Sequence, residues 1–167
     1  MKEKCIVVLS VLVFVSCVST FTIPKEELLD QIKKDHNKIT VSVQNDALVI
    51  QDNNGKSLKS TSFLKQEISF LKETKKELVI YNTYKMKDII CYNKKGEKVK
   101  LKLDHNSQMK IKLTDNYKMA IYFKPVEVFD NVLIGYKSRI LGWGSIANID
   151  SITDINIYAE FPNIQKQ

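Results

Sequence analysis

From residue 77 onward the chain is written in short runs that alternate apolar with polar or pack β-branched and aromatic residues together: ELVIYNTY, DIICYN, EKVKLKL, QMKIKLTD, KMAIYF, NVLIGYK and DINIYAEF. Successive side chains of a strand point to opposite faces, so a period of two asks for strands with one buried and one wet side. Turn formers such as Lys94-Lys95-Gly96 and Asp104-His105-Asn106 separate the runs, as strand boundaries require. Upstream, ITVSV, the polar pair Asn45-Asp46 and ALVIQ read as a hairpin, with a further turn at Asp52-Asn53-Asn54-Gly55. The sum is about eight to ten strands in one mainly β domain.

Helical signals are confined to the N-terminal half. In KEELLDQIKKDH, Leu28, Leu29 and Ile32 recur at helical spacing behind Glu26 and Glu27, which suit a first turn. Residues 62–73, SFLKQEISFLKE, place Phe63, Leu64, Ile68 and Leu71 near one helical face and read as a second short helix, although the same letters would serve a strand. With 167 residues, the chain has room for one good core and not comfortably for two. The expected plan is a signal peptide over 1–16, a lipidated tether with a short helix over 17–38, and a β-rich domain over 39–167. The strand lengths and tight turns of the C-terminal half resemble a small barrel of the Sm or SH3 kind.

The first residues, MKEKCIVVLSVLVFVSC, set Lys2 and Lys4 ahead of an apolar stretch from Cys5 to Val15. That is the layout of a secretory leader and too short for a membrane span, which takes about 20 apolar residues. Phe14-Val15-Ser16-Cys17 resembles a lipobox, which implies cleavage before Cys17 and lipid on its sulfur. The alternative is an ordinary signal peptide with Cys17 lost or left free. Lipidation would hold the chain on a membrane, each buried methylene contributing about 0.8 kcal/mol. Of three cysteines, Cys5 would leave with the leader and Cys17 would be modified. Only the Cys91 thiol would remain, so no intramolecular disulfide is expected.

The formal net charge is +7, nearly all lysine, with Arg139 the only arginine. Alternation sets Val99, Leu101 and Leu103 against Lys98, Lys100 and Lys102, then Met109 and Ile111 against Lys110 and Lys112. It next sets Met119, Ile121 and Phe123 against Lys118, Ala120, Tyr122 and Lys124. If these strands pair in sequence order, one sheet face is a lysine field that would suit phosphate or carboxylate groups of an anionic glycolipid, phospholipid, polysaccharide or envelope protein. The competing reading is a solvated face that discourages aggregation, and surface charge alone favours it. Nucleic acid fits poorly with an exported chain.

Catalysis has little to stand on. His36 and His105 are the only histidines. A site of His105 with Asp104 and Asp115 is conceivable, but solvated turn residues commonly look like this, and no metal or other cofactor is expected. No nucleophile elbow, zinc-protease motif, phosphate loop or C-x-x-C occurs, and no small-molecule substrate is indicated. Cys91 reads as a small buried residue. Trp143, between Gly142 and Gly144 and near Arg139 and Tyr136, is either an exposed contact anchor or a lid folded onto the core; the lid is favoured.

The leader ending at Cys17, TIPKEELLDQI, DIICYNKKGEKVKLKLDHNSQMKIKLTDN, VLIGYKSR and the closing IANIDSITDINIY together resemble small lipoproteins of Bacteroidota, with spirochaete lipoproteins the rival. The resemblance implies a lipid-anchored envelope protein, on the outer rather than the inner membrane, facing periplasm or cell surface. It transfers no catalytic residue. The expectation is therefore a non-enzymatic lipoprotein that binds or scaffolds an envelope component. Alternatives are an accessory subunit of an envelope complex, a surface antigen meeting host molecules, and an enzyme with a hidden site.

Overall fold

The computed structural model describes residues 18–44, 47–58, 77–138, 141, 143–160 and 162–166. Its strands are β1 (Val18–Thr22), β2 (Lys38–Gln44), β3 (Ala47–Asp52), β4 (Leu78–Asn82), β5 (Asp88–Tyr92) and β6 (Lys98–Lys102), followed by β7 (Gln108–Leu113), β8 (Lys118–Phe129), β9 (Val132–Tyr136), β10 (Gly144–Asn148), β11 (Ile152–Glu160) and β12 (Ile164–Lys166). One helix, α1 (Lys25–Ile32), and the single 3₁₀ turns Asp35–Asn37, Thr83–Lys85 and Ile149–Ser151 complete the described elements. The fold is mainly β, as the alternation predicts. The strand count exceeds the expected one because the short β1 and β12 lie in segments not read as strands. The second helix expected over 62–73 lies outside the described residues.

All strands belong to one antiparallel sheet in the order β12-β6-β5-β1-β11-β7-β8-β4-β2-β3, with β9 on β8 and β10 on β9. Its main core gathers Phe21, Leu28, Ile89, Leu101, Met109, Ile121, Phe123 and Ile157, all buried, from strands spread along this path and from α1. A smaller cluster of Val41, Ile50 and Ile80 fills the β2-β3-β4 end.

Val18–Thr22 corrects the expected tether. It is a strand inside the sheet, pairing with β11 along its length from Val18↔Glu160 to Thr22↔Asn156 and touching β5 at Thr22↔Tyr92. The reason is local: Phe21 and Ile23 alternate with exposed Thr22 and Pro24, and both apolar side chains are buried.

α1 opens after Pro24 with Glu26 and Glu27 in its first turn, where the helix dipole favours negative charge. Leu28 and Ile32, one turn apart, are its buried residues. Asn37 closes the other end by donating from Nδ2 to the carbonyls of Ile32 (3.0 Å) and Gln31 (3.4 Å), groups a helix end leaves unpartnered. The helix also covers a strand edge. Gln31 accepts from the Ile90 N–H (2.7 Å) and donates to the Ile90 carbonyl (2.9 Å), standing in for a neighbouring strand beside β5.

β8 serves two neighbourhoods. Its first half pairs with β7, and its second half pairs with β9 and β4, with a register shift between Tyr122 and Val126 and a cis Lys124-Pro125 bond in the gap. Fully buried Thr83 spans the gap: its hydroxyl donates to the Phe123 carbonyl (2.5 Å) and accepts from the Val126 N–H (2.9 Å). Removing the hydroxyl takes a hydrogen-bond partner from both buried backbone groups, which costs about 2 kcal/mol. Thr83→Val should therefore lower the unfolding free energy by that amount, a fall of roughly 1 M in the urea midpoint at an m-value of about 2 kcal/mol/M, whereas an unchanged midpoint would show that the bend is held by packing alone.

Candidate anion-binding face

The phase of the lysine strands is as the sequence implies, with Val99, Leu101, Met109, Ile111, Met119 and Ile121 buried. Their adjacency is not. β6 pairs with β5 and β12 and is separated from β7 by β5, β1 and β11, so Lys98, Lys100 and Lys102 do not join the lysines of β7 and β8 in one field. On β6, Lys100 Nζ lies 3.2 Å from the Asp88 carboxylate, and Lys102 faces Asp88 in register. That strand's charge is partly answered within the sheet.

β7 and β8 do pair, and β11 rather than β6 flanks β7. Three rows cross the outer face: Asp154–Lys112–Lys118, Asn156–Lys110–Ala120 and Tyr158–Gln108–Tyr122. Lys112 and Lys118 stand directly opposite one another, a like-charge pair that disfavours the sheet by a few tenths of a kcal/mol or more. Asp154, the carboxylate on the other side of Lys112, accepts from Asn156 Nδ2 at 2.7 Å. Among the described residues, Lys110, Lys112 and Lys118 form no ion pair. Lys110 Nζ instead sits 4.0 Å from the centre of the Tyr158 ring, an attraction of ammonium for the ring face.

Exposed Ala120 lowers the floor between these longer side chains. The result is an open depression of about 610 Å³ lined by Lys110, Lys112, Lys118, Asp154, Asn156 and Tyr158. It offers ammonium groups, an amide and an aromatic face together. Lys124, farther along β8, is half-buried, and desolvation pushes its ammonium below the ordinary lysine range, with the Asp104 charge acting in the opposite direction.

The Trp143 expectation is reversed. The indole is 63% exposed, as are Leu141 (59%) and Ile146 (62%), so it is no lid on the core. The nearby Lys137 backbone donates to the Trp143 carbonyl (2.8 Å), while Lys137 Nζ donates to the hydroxyl of exposed Tyr117 (3.3 Å) beside Lys118. None of these exposed apolar side chains lines the lysine depression. Arg139 and Cys17 lie outside the described residues.

His105 is exposed, and its neighbouring carboxylates close turns. Asp104 accepts from the backbone of Asn106 and Ser107 and from the Ser107 hydroxyl, while Asp115 accepts from the Tyr117 N–H. No group of three or more potential metal ligands occurs among the described residues. Asp154, Asn156 and Tyr158 were missed as site residues; the signal available was the alternation of DINIY, which opposes them to Ile155 and Ile157. No described helix is long and apolar enough to cross a membrane. Comparison with protein-family models, curated proteins and solved structures finds no match to this chain.

Cys91 is fully buried and free. Burial pushes its thiol up to about 12, so the nucleophilic thiolate is scarce near neutrality. In native protein at pH near 8, a maleimide followed by peptide mapping should leave Cys91 unlabelled, and denaturant should expose it; prompt native labelling would contradict the buried placement.

Proposed function

We propose that the chain is an exported, lipid-anchored envelope protein, non-enzymatic, that binds an anionic envelope component on the β7–β8–β11 face. The observation carrying the binding reading is the in-register Lys112–Lys118 pair beside Lys110, with no ion-pair partner for any of the three among the described residues. A merely solvated face gains nothing from setting two ammonium groups opposite each other. An oxyanion between them turns that repulsion into two charge-assisted contacts. Tyr158 and Asn156 add a stacking surface and an amide, the complement of a sugar ring or head group carrying phosphate or carboxylate. The lipid anchor rests on the leader and on Phe14-Val15-Ser16-Cys17, together with the resemblance to Bacteroidota or spirochaete lipoproteins.

The binding reading predicts capture by vesicles containing phosphatidylglycerol or by polygalacturonate, weakening several-fold as salt rises from about 0.01 to about 0.15 M and the screening length shrinks from about 30 to about 8 Å. The combined Lys110→Glu, Lys112→Glu, Lys118→Glu variant should lose capture, and the matching Lys98→Glu, Lys100→Glu, Lys102→Glu variant should keep most of it. Absence of capture by both probes, or equal loss in the two variants, would remove the face from the proposal.

The anchor has its own test. Cells fed labelled palmitate should incorporate label into the parent chain and not into Cys17→Ala, which should accumulate uncleaved; equal labelling of the two would refute lipidation at Cys17.

A further inference from the structure

A second cavity lies away from the lysine face, where the Asp35–Asn37 turn, the start of β2, the end of β3 and the Thr83–Lys85 turn meet Pro125. It encloses about 410 Å³, within the roughly 300–1,000 Å³ usual for small-ligand sites. Ile39, Leu58 and Pro125 supply apolar wall, and the Tyr84 side chain, 74% exposed, stands at the margin.

Most polar groups in this wall are already engaged. Buried Asp52 accepts from Lys85 Nζ (2.9 Å) and from the backbone N–H groups of Asn54 and Lys56 (3.0 Å each). Asn82 donates to Glu127 (2.9 Å) and accepts from the Tyr84 N–H (2.7 Å). His36, Asn37 and Lys38 are polar residues of the lining whose side chains are not fully engaged. Lys38 has no ion pair among the described residues. Asn37, 2% exposed, uses Nδ2 on the end of α1 while its Oδ1 has no described partner.

Lys38 and Lys85 against Asp52 alone leave the charged lining net positive around an apolar interior. Lys85 has ammonium donors beyond the one given to Asp52. We propose that this cleft binds a single-chain anionic amphiphile of the fatty-acid class, with its hydrocarbon against Ile39, Leu58 and Pro125 and its carboxylate at Lys38 and Lys85. The site is independent of the lysine face and of lipidation.

The test is calorimetric titration of the full chain with octanoate, decanoate and dodecanoate, each below its micellar concentration. Saturable binding of one ligand per chain is expected, tightening by roughly fourfold per methylene. Dodecyltrimethylammonium, with the opposite head charge, should bind at least tenfold more weakly. Lys38→Glu should weaken dodecanoate about tenfold, and Ile39→Trp, which fills the cleft, should abolish binding while keeping the strand signature in circular dichroism. The Lys110→Glu, Lys112→Glu, Lys118→Glu variant should bind dodecanoate like the parent, so failure of the anionic-face reading leaves this result intact. Non-saturable uptake, indifference to head charge, an unaffected Lys38→Glu or loss in the lysine-face variant would each overturn the assignment. Should Ile39→Trp not fold, the head-group comparison and Lys38→Glu still decide it.

Discussion

The pairing of β1 with β11 joins the first described strand to one more than 130 residues later, and the positions of the other strands follow from it. β11 has β1 on one side and β7 on the other, so its backbone groups are answered on both edges. Through β1 it reaches β5 and then β6; through β7 it reaches β8 and the smaller hairpin beyond. Without this central strand, the β5–β6 hairpin and the β7–β8 hairpin would share no ladder, and the core between them would open along its length. The contacts are far apart in sequence, so loop-closure entropy must be met before they stabilise anything.

This geometry explains what could be read from the sequence. Alternation in KVKLK, QMKIKL and KMAIYF set the inward residues correctly, because burial phase is a local property of a strand. Neighbour order is not local. Nothing in EKVKLKL says that three strands will stand between it and QMKIKL, and the hairpin-like turn at Asp104 to Ser107 suggests the opposite. The same blindness hid Asp154, Asn156 and Tyr158, whose polar phase was visible but whose partner strand was not. β1 was lost for a different reason: with Phe21 and Ile23 as its clear apolar pair, the segment offered too few periods to distinguish from a tether.

A lysine-rich surface thus divides into parts with different physics. On β6 the carboxylate of Asp88 lies against the lysines, and the face resembles an ordinary solvated one. On β7 and β8 the nearest in-register carboxylate is turned to Asn156, an alanine leaves the floor low, and a tyrosine ring takes the one ammonium that has found a partner. Equal letter patterns therefore give unequal sites once the neighbouring strand is known. The exposed Trp143 sits on the separate β9–β10 loop, which Lys137 ties to Tyr117.

The placement of Val18 within the sheet carries a mechanical consequence. Val18 faces Glu160 at one end of β11, and Lys112 faces Asp154 toward the other, a separation of roughly six residues or about 20 Å along the strand. A lipid on Cys17 would join the sheet through a single peptide bond, with no leash of chain to let the domain roam. The tilt of the sheet on the bilayer would then govern where the lysine pair points: laid flat, against the head groups; stood upright, toward whatever lies across the gap. With so short a connection, the lysine pair would stay within about 20 Å along the strand of the anchoring end, whatever the tilt.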